Sequence, residues 1–201
     1  MSEAVAAKYS YLALGDSYTI GEAVLPEENF PSQTGRLLKD FASPYIVAKT
    51  GWTTDELDSA IDASNISTTF DIVSLLIGVN NQYRGRSVSE YKTQFDHLLQ
   101  RAIHFSGNKA NRVFVLSIPD WGVTPFAEGQ DRQKIAAAID AYNETAQKIC
   151  EQHHVVFIDI TTSQRIDGNK KDFLAADGLH PSGKEYTKWA EKLSSTVKKE
   201  M

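Results

Sequence analysis

The sequence predicts an α/β protein in which a parallel sheet carries helices on both faces. Two observations lead there. Five short apolar runs alternate with five longer segments whose apolar residues recur at helical spacing, the order expected of strands joined by right-handed helical crossovers. No internal repeat, low-complexity block or linker interrupts the alternation, and 201 residues is long enough for one sizeable core and short for two. Residues 1–201 are therefore expected to form a single domain.

Tyr11 to Leu14 is an apolar run suited to a strand covered on both faces, and Gly15-Asp16-Ser17 ends it abruptly. Residues 18 to 30 have no regular period and read as a loop. Pro31 is placed as the first residue of a helix with Leu37, Leu38 and Phe41 on its apolar side, stopped by Ser43-Pro44. Tyr45 to Ala48 is a second strand, closed by Lys49-Thr50-Gly51. Thr53-Thr54-Asp55-Glu56 matches a capping box, and Leu57, Ala60 and Ile61 continue the helix. Ile72 to Ile77 is the strongest strand, rich in branched residues, placed at the sheet centre and ended by Gly78-Val79-Asn80-Asn81. Ser87-Val88-Ser89-Glu90 is a second capping box, opening a long helix with Tyr91, Phe95, Leu98, Leu99, Ala102 and Ile103 on one face. Arg112 to Ile118 is the fourth strand, turned away by Pro119-Asp120-Trp121-Gly122. Ile135 through Ile149 mark another long helix, and Val155 to Ile158 the fifth strand. Asp159 to Asp177 reads as an irregular surface crossing. Pro181 then opens a last helix with Tyr186, Trp189, Leu193 and Val197 inside.

Composition narrows the function. Apolar residues are 41% and charged residues 23%, ordinary for a globular protein, and the net charge of -5 with no long basic run argues against a nucleic-acid partner. Cys150 is the sole cysteine, so no intrachain disulfide forms. The start, MSEAVAAKYSY, has no leader pattern and no stretch is apolar enough to span a bilayer, so a cytoplasmic protein without membrane insertion is expected. His153-His154 near a helix end has no third ligand at suitable spacing, and no metal is expected.

Parallel strands bring their carboxyl ends to one edge, which places Ser17, Gly51, Asn80, Asp120 and the Asp177/His180 loop along a common rim. Acyl transfer needs a nucleophile, a base, a group that orients the base, and donors for the developing oxyanion. Ser17 is the candidate nucleophile, His180 the base and Asp177 its orienting carboxylate. The Ser17 N–H, the Gly51 N–H and the Asn80 side-chain amide are candidate oxyanion donors. Taken singly, Gly-Asp-Ser reads more readily as a turn, Asp177 and His180 equally as a helix cap with a surface histidine, and Gly51 and Asn80 as turn formers. Their occurrence in order, each after a different strand, favours the chemical reading. Trp52, Trp121 and Tyr83 are candidates to line a substrate pocket, with Tyr18 and Phe126 also near the rim. Arg84 and Arg86 read as solvated surface residues.

Leu14-Gly15-Asp16-Ser17, Gly51 in Thr50-Gly51-Trp52-Thr53, Gly78-Val79-Asn80, and Asp177-Gly178-Leu179-His180-Pro181 together resemble the SGNH (GDSL-type) hydrolases, serine esterases and lipases. The resemblance implies a three-layer flavodoxin-like fold with strand order 2-1-3-4-5. It also implies a Ser17–His180–Asp177 triad with Ser17, Gly51 and Asn80 around the oxyanion. Asn81 departs from the family, which often has Asp there. The expected activity is cofactor-free hydrolysis, through an acyl-enzyme, of small acyl esters or acetylated carbohydrates. Lysophospholipid or thioester cleavage is the alternative within the family. A non-catalytic flavodoxin-like binding module is the alternative outside it, although no phosphate-binding glycine loop follows the first strand. The pattern carries no information on oligomeric state.

Overall fold

The computed structural model describes residues 7–201; residues 1–6, part of the segment read as lacking a leader pattern, lie outside the described residues. Five strands, β1 (Tyr11–Gly15), β2 (Tyr45–Ala48), β3 (Ile72–Leu76), β4 (Val113–Leu116) and β5 (Val156–Ile158), form one sheet in the order β2-β1-β3-β4-β5. Every pairing is parallel. The strand order is the one the motif resemblance implied. β1, β3 and β4 are buried at every position, which is why they read as continuous apolar runs. Tyr45 on the edge strand β2 is exposed.

The helices are α1 (Ser17–Ile20), α2 (Phe30–Leu38), α3 (Thr54–Ala63), α4 (Val79–Tyr83), α5 (Val88–Phe105), α6 (Arg132–Gln152), α7 (Thr161–Asp167) and α8 (Gly183–Glu200). α2 packs on α8, and α3, α5 and α6 pack side by side on the opposite face, the arrangement right-handed crossovers require for this strand order. Phe30, Tyr186 and Trp189 form the aromatic core of the first layer, while Tyr91, Phe95 and Tyr142 form that of the second.

Five expectations need correction. The segment after Ser17 is not wholly loop: Asp16 caps the short helix α1 with its side chain, and Pro26–Glu28 forms a 3-10 turn. α2 starts one residue before Pro31, with Asn29 capping it through a 2.8 Å bond from the Ser32 N–H. The crossing from Asp159 contains α7, whose buried residues, Thr161 and Gln164, are polar and leave no apolar stripe to read. α8 begins at Gly183, because Pro181 is occupied in an antiparallel bridge with Leu174. The Ser87 box is half made: its hydroxyl accepts from the Glu90 N–H at 3.1 Å, but the Glu90 carboxylate turns to Arg86.

The ends of the central strands are flush. Gly15 is the register partner of both Ala48 and Leu76, so the chain leaves β1, β2 and β3 at one level. Gly15 is there because α1 folds straight back over it: a Cβ would lie 2.0 Å from Thr19 Oγ1 and 2.5 Å from the Leu76 carbonyl oxygen. Gly15→Ala is therefore expected to cost about 1–3 kcal/mol, the usual penalty for forcing atoms into a packed interior. Urea unfolding would register it as a lower midpoint with an unchanged m-value.

Candidate active site

Ser17 follows β1 by two residues, is the first residue of α1, and is almost wholly buried. Asp16 Oδ1 accepts from the Tyr18 N–H at 3.0 Å, and the Asp16 carbonyl accepts from Thr19 and Ile20. These bonds consume the donors that follow Ser17 and leave its own N–H, at the first helical position, pointing out of the helix. Gly51 lies in the turn after β2 with φ of +84°, a left-handed conformation that excludes a β-carbon on backbone grounds, since the nearest atom to one would be 3.8 Å away. Its carbonyl is held by Arg84 Nη2 at 2.6 Å, and Arg84 also pairs with Glu56. The guanidinium so fixes the orientation of the Gly51 peptide from the solvent side.

Asn80 follows β3 in the first turn of α4. Its Nδ2 donates to the Trp52 carbonyl at 3.0 Å and lies 3.4 Å from Asp16 Oδ2, tying the turn after β2 to the turns after β1 and β3. Next to it, buried Asn81 accepts from the Thr54 N–H at 3.1 Å and donates to the Thr54 hydroxyl at 2.7 Å. The Thr54 hydroxyl in turn meets Gln94. Both Asn81 bonds use the amide's mixed donor and acceptor character, so the departure from the family pattern is accommodated by a neutral clamp on the start of α3.

The fourth block closes the rim from the end of the chain. Asp177 Oδ1 accepts from the N–H groups of Leu179 and His180, both at 3.0 Å, and Asp177 Oδ2 is 2.6 Å from His180 Nδ1. An ionised carboxylate only accepts, so Nδ1 carries the proton and Nε2 is left as the basic atom. Burial works against the Asp177 charge, but the bonds from the His180 ring and the two N–H groups outweigh it and hold the carboxyl below its usual range. The loop is pinned by a 3.1 Å bond from the Phe126 N–H to the Gly178 carbonyl. The His180 ring packs on Tyr18 with centroids 5.1 Å apart.

Ser17, Gly51, Asn80 and His180 line one cleft of about 160 Å³. Ser17 and His180 thus share a cavity, although no hydrogen bond joins the two side chains among the described residues. Tyr83 and Trp121 line it as well, with Phe126. Trp52 does not: its side chain packs on the hydrophobic core, and its contribution is the carbonyl that receives Asn80. Asp177 stands behind His180. Arg86, read as a surface residue, is ion-paired with Asp55 and Glu90. His153 binds Asp96 at 2.6 Å, and no group of three or more metal-ligating side chains occurs among the described residues. No described helix is long and apolar enough to cross a membrane.

Two features of the site went unread in the sequence. Asp16 is a fully buried acid; the sequence showed it as part of the Gly15-Asp16-Ser17 block, without the helix it caps or its burial. Asp120 is buried too; it accepts from the Gly122 N–H and from Arg165 at 2.8 Å, with Gln164 bonded to its backbone. The segment carrying Trp121 is thereby fixed to α7, a helix the sequence pattern did not reveal.

Burial pushes the Asp16 carboxyl from 3.8 up to about 7, with the bonds from Tyr18 and Asn80 offsetting part of the rise. The native state therefore keeps a proton that the unfolded chain releases near pH 4. Between about pH 4 and pH 7 the native state binds more protons, so this group's contribution to stability falls as the pH rises through that window. Asp16→Asn keeps an oxygen for the Tyr18 N–H and cannot ionise. Its stability relative to wild type, followed by denaturant melts, is expected to climb by a few kcal/mol from pH 4 to pH 7.

Residues 13–188 match the GDSL-like Lipase/Acylhydrolase family. No curated protein sequence matches the chain with significance. Among solved structures, a G-D-S-L family protein from Desulfitobacterium hafniense DCB-2 superposes with a TM-score of 0.76 at 15% identity, covering 94% of this chain and 99% of the other. The lipase/acylhydrolase from Enterococcus faecalis gives a TM-score of 0.73 at 21% identity over 95% and 96% of the two chains. Axe2, an acetylxylan esterase from Geobacillus stearothermophilus, gives 0.71 at 18% identity over 96% and 95%. At these identities the superpositions bear on the fold. The match over most of the chain makes this protein a member of the GDSL-like lipase/acylhydrolase family.

Proposed function

We propose that the protein is a serine ester hydrolase working through an acyl-enzyme, with Ser17 as nucleophile, His180 as general base and acid, and Asp177 orienting the imidazole. The observation that supports this most is the His180 ring, held by Asp177 with its basic nitrogen free, in the same cleft as the Ser17 hydroxyl. His180 Nε2 removes the Ser17 proton as Oγ attacks the ester carbonyl carbon. The carbonyl oxygen becomes negative and is met by the N–H groups of Ser17 and Gly51 and by the Asn80 amide, all fixed before the reaction begins. Collapse of the tetrahedral species expels the alcohol, which takes its proton from His180. Water, activated by the same imidazole, then attacks the acyl group and releases the acid and the free Ser17 hydroxyl. Asp177 remains the anion that compensates the imidazolium in both halves.

The Asn80 amide has to serve two masters, since one N–H is spent on the Trp52 carbonyl. The other is the long, 3.4 Å contact to Asp16, weak enough to be exchanged for a developing oxyanion. The small cleft favours a short acyl group, and the likeness to an acetylxylan esterase fold favours acetylated carbohydrates among the candidate substrates.

Ser17→Ala is expected to abolish both turnover of p-nitrophenyl acetate and covalent labelling by a fluorophosphonate, read by intact-protein mass. Retained turnover would refute the assignment. Asn80→Ala is expected to lower kcat roughly a hundred- to a thousand-fold with little change in KM. Steady-state kinetics in which only KM moved would remove Asn80 from the oxyanion.

A further inference from the structure

The cleft beside Ser17 has a volume of about 160 Å³. A second concavity of about 820 Å³ adjoins it, and Tyr83, Trp121 and Phe126 border both. One wall of this groove is the turn between α4 and α5, and the other is the first half of α6 with the residues just before it.

The border is aromatic and open. Tyr83 is 56% exposed and Phe126 47% exposed. Both meet Trp121, Tyr83 with ring centroids 5.2 Å apart at 74° and Phe126 at 6.1 Å and 71°. Trp121 itself is buried, and its Nε1 donates to Gln82 Oε1 at 2.7 Å. Two flat rings are thus propped in solvent on a fixed indole.

The groove beyond the rings is amphipathic, with Val88, Ile135 and Ala138 beside Gln130, Asp131 and Lys134, and it is not an anion trap. Arg86 is occupied by Asp55 at 2.5 Å and by Glu90, and Asp131 Oδ1 caps α6 through the Lys134 N–H. Gln82, Gln130 and Lys134 are hydrogen-bonding side chains in the groove's lining that no ion pair or helix cap occupies. An alkyl chain laid here would meet Val88, Ile135 and Ala138 but would also cover the amide and ammonium groups without bonding them. A sugar chain has C–H faces for the rings and hydroxyls for the amides.

We propose that this groove receives the alcohol portion of the ester as a chain of more than one sugar ring, while the acyl group stays in the cleft at Ser17; the proposal rests on the ester-hydrolase reading above. The test measures kcat/KM on acetylated β-1,4-linked glucose and xylose oligomers of one to four rings, beside p-nitrophenyl esters from acetate to dodecanoate. For at least one sugar, kcat/KM is expected to rise tenfold or more with ring number. Tyr83→Ala and a Gln130→Ala/Lys134→Ala double variant are expected to remove most of that rise, judged as the ratio of oligomer to p-nitrophenyl acetate kcat/KM. A ratio independent of ring number in both series, with p-nitrophenyl acetate still cleaved, overturns the groove assignment and leaves the hydrolase reading standing. A preference that grows with acyl length overturns it in favour of an acyl-chain groove. Turnover of no ester at all, or turnover that survives Ser17→Ala, fails the underlying reading instead.

Discussion

A carboxyl group with no exposed surface lies beneath the candidate nucleophile, and the local architecture follows from its bonding needs. Asp16 starts α1 by accepting from the Tyr18 N–H and reaches toward the Asn80 amide across the gap between β1 and β3. That gap is where the strand order reverses direction, the crevice that open parallel sheets present to ligands. Gly15 completes the arrangement from below: without a side chain it lets Thr19 return onto the strand end, so that Ser17 is lifted at the top of a very tight turn.

The rest of the rim is held by neighbours chosen for geometry more than for stability. Arg165 reaches buried Asp120 and also pairs with Asp140. Taking such charges from water costs several kcal/mol per ion, recovered only when further hydrogen bonds satisfy them, as the one from the Gly122 N–H to the Asp120 carboxylate does here, while Gln164 holds the Asp120 backbone. The return is a fixed path for Trp121. A similar logic runs through Arg84, which spends its charge on Glu56 and on a backbone carbonyl at Gly51. Both arginines stand outside the cleft and set the direction of groups that line it.

Much of this was legible in the amino-acid order, because the physics that shaped it is local. β1, β3 and β4 sit between two helical layers, so their sequences carry uninterrupted apolar runs, and the long helices show their inner stripe because α5 and α6 bury it against one another. The rim residues could be placed once the strands were known to be parallel. What escaped notice is built from polar atoms or from distant segments. α1 spans barely one turn, and α7 buries Thr161 and Gln164 in hydrogen bonds to Ser117 and Asp120, leaving no hydrophobic period. Trp52 looked like a wall of the pocket by position alone, yet its ring turns to the core while its carbonyl faces Asn80. The groove beside the cleft joins residues 82–88 to residues 121–142, a pairing that only the folded chain makes.

The loop that bears His180 is anchored to the remainder of the molecule through α8, and α8 in turn rests on α2, with Gln33 donating to the Gly183 carbonyl and accepting from Thr187. Ser17 and His180 are thus separated by nearly the whole polypeptide, and the seam between α2 and α8 joins the loop's own bonds in bringing them to one cleft. During synthesis, the turn at Ser17 has emerged long before its partner leaves the ribosome. Trp189, packed on Phe30 of α2, can be buried only after α8 has been made, so the cleft shared by Ser17 and His180 is completed last.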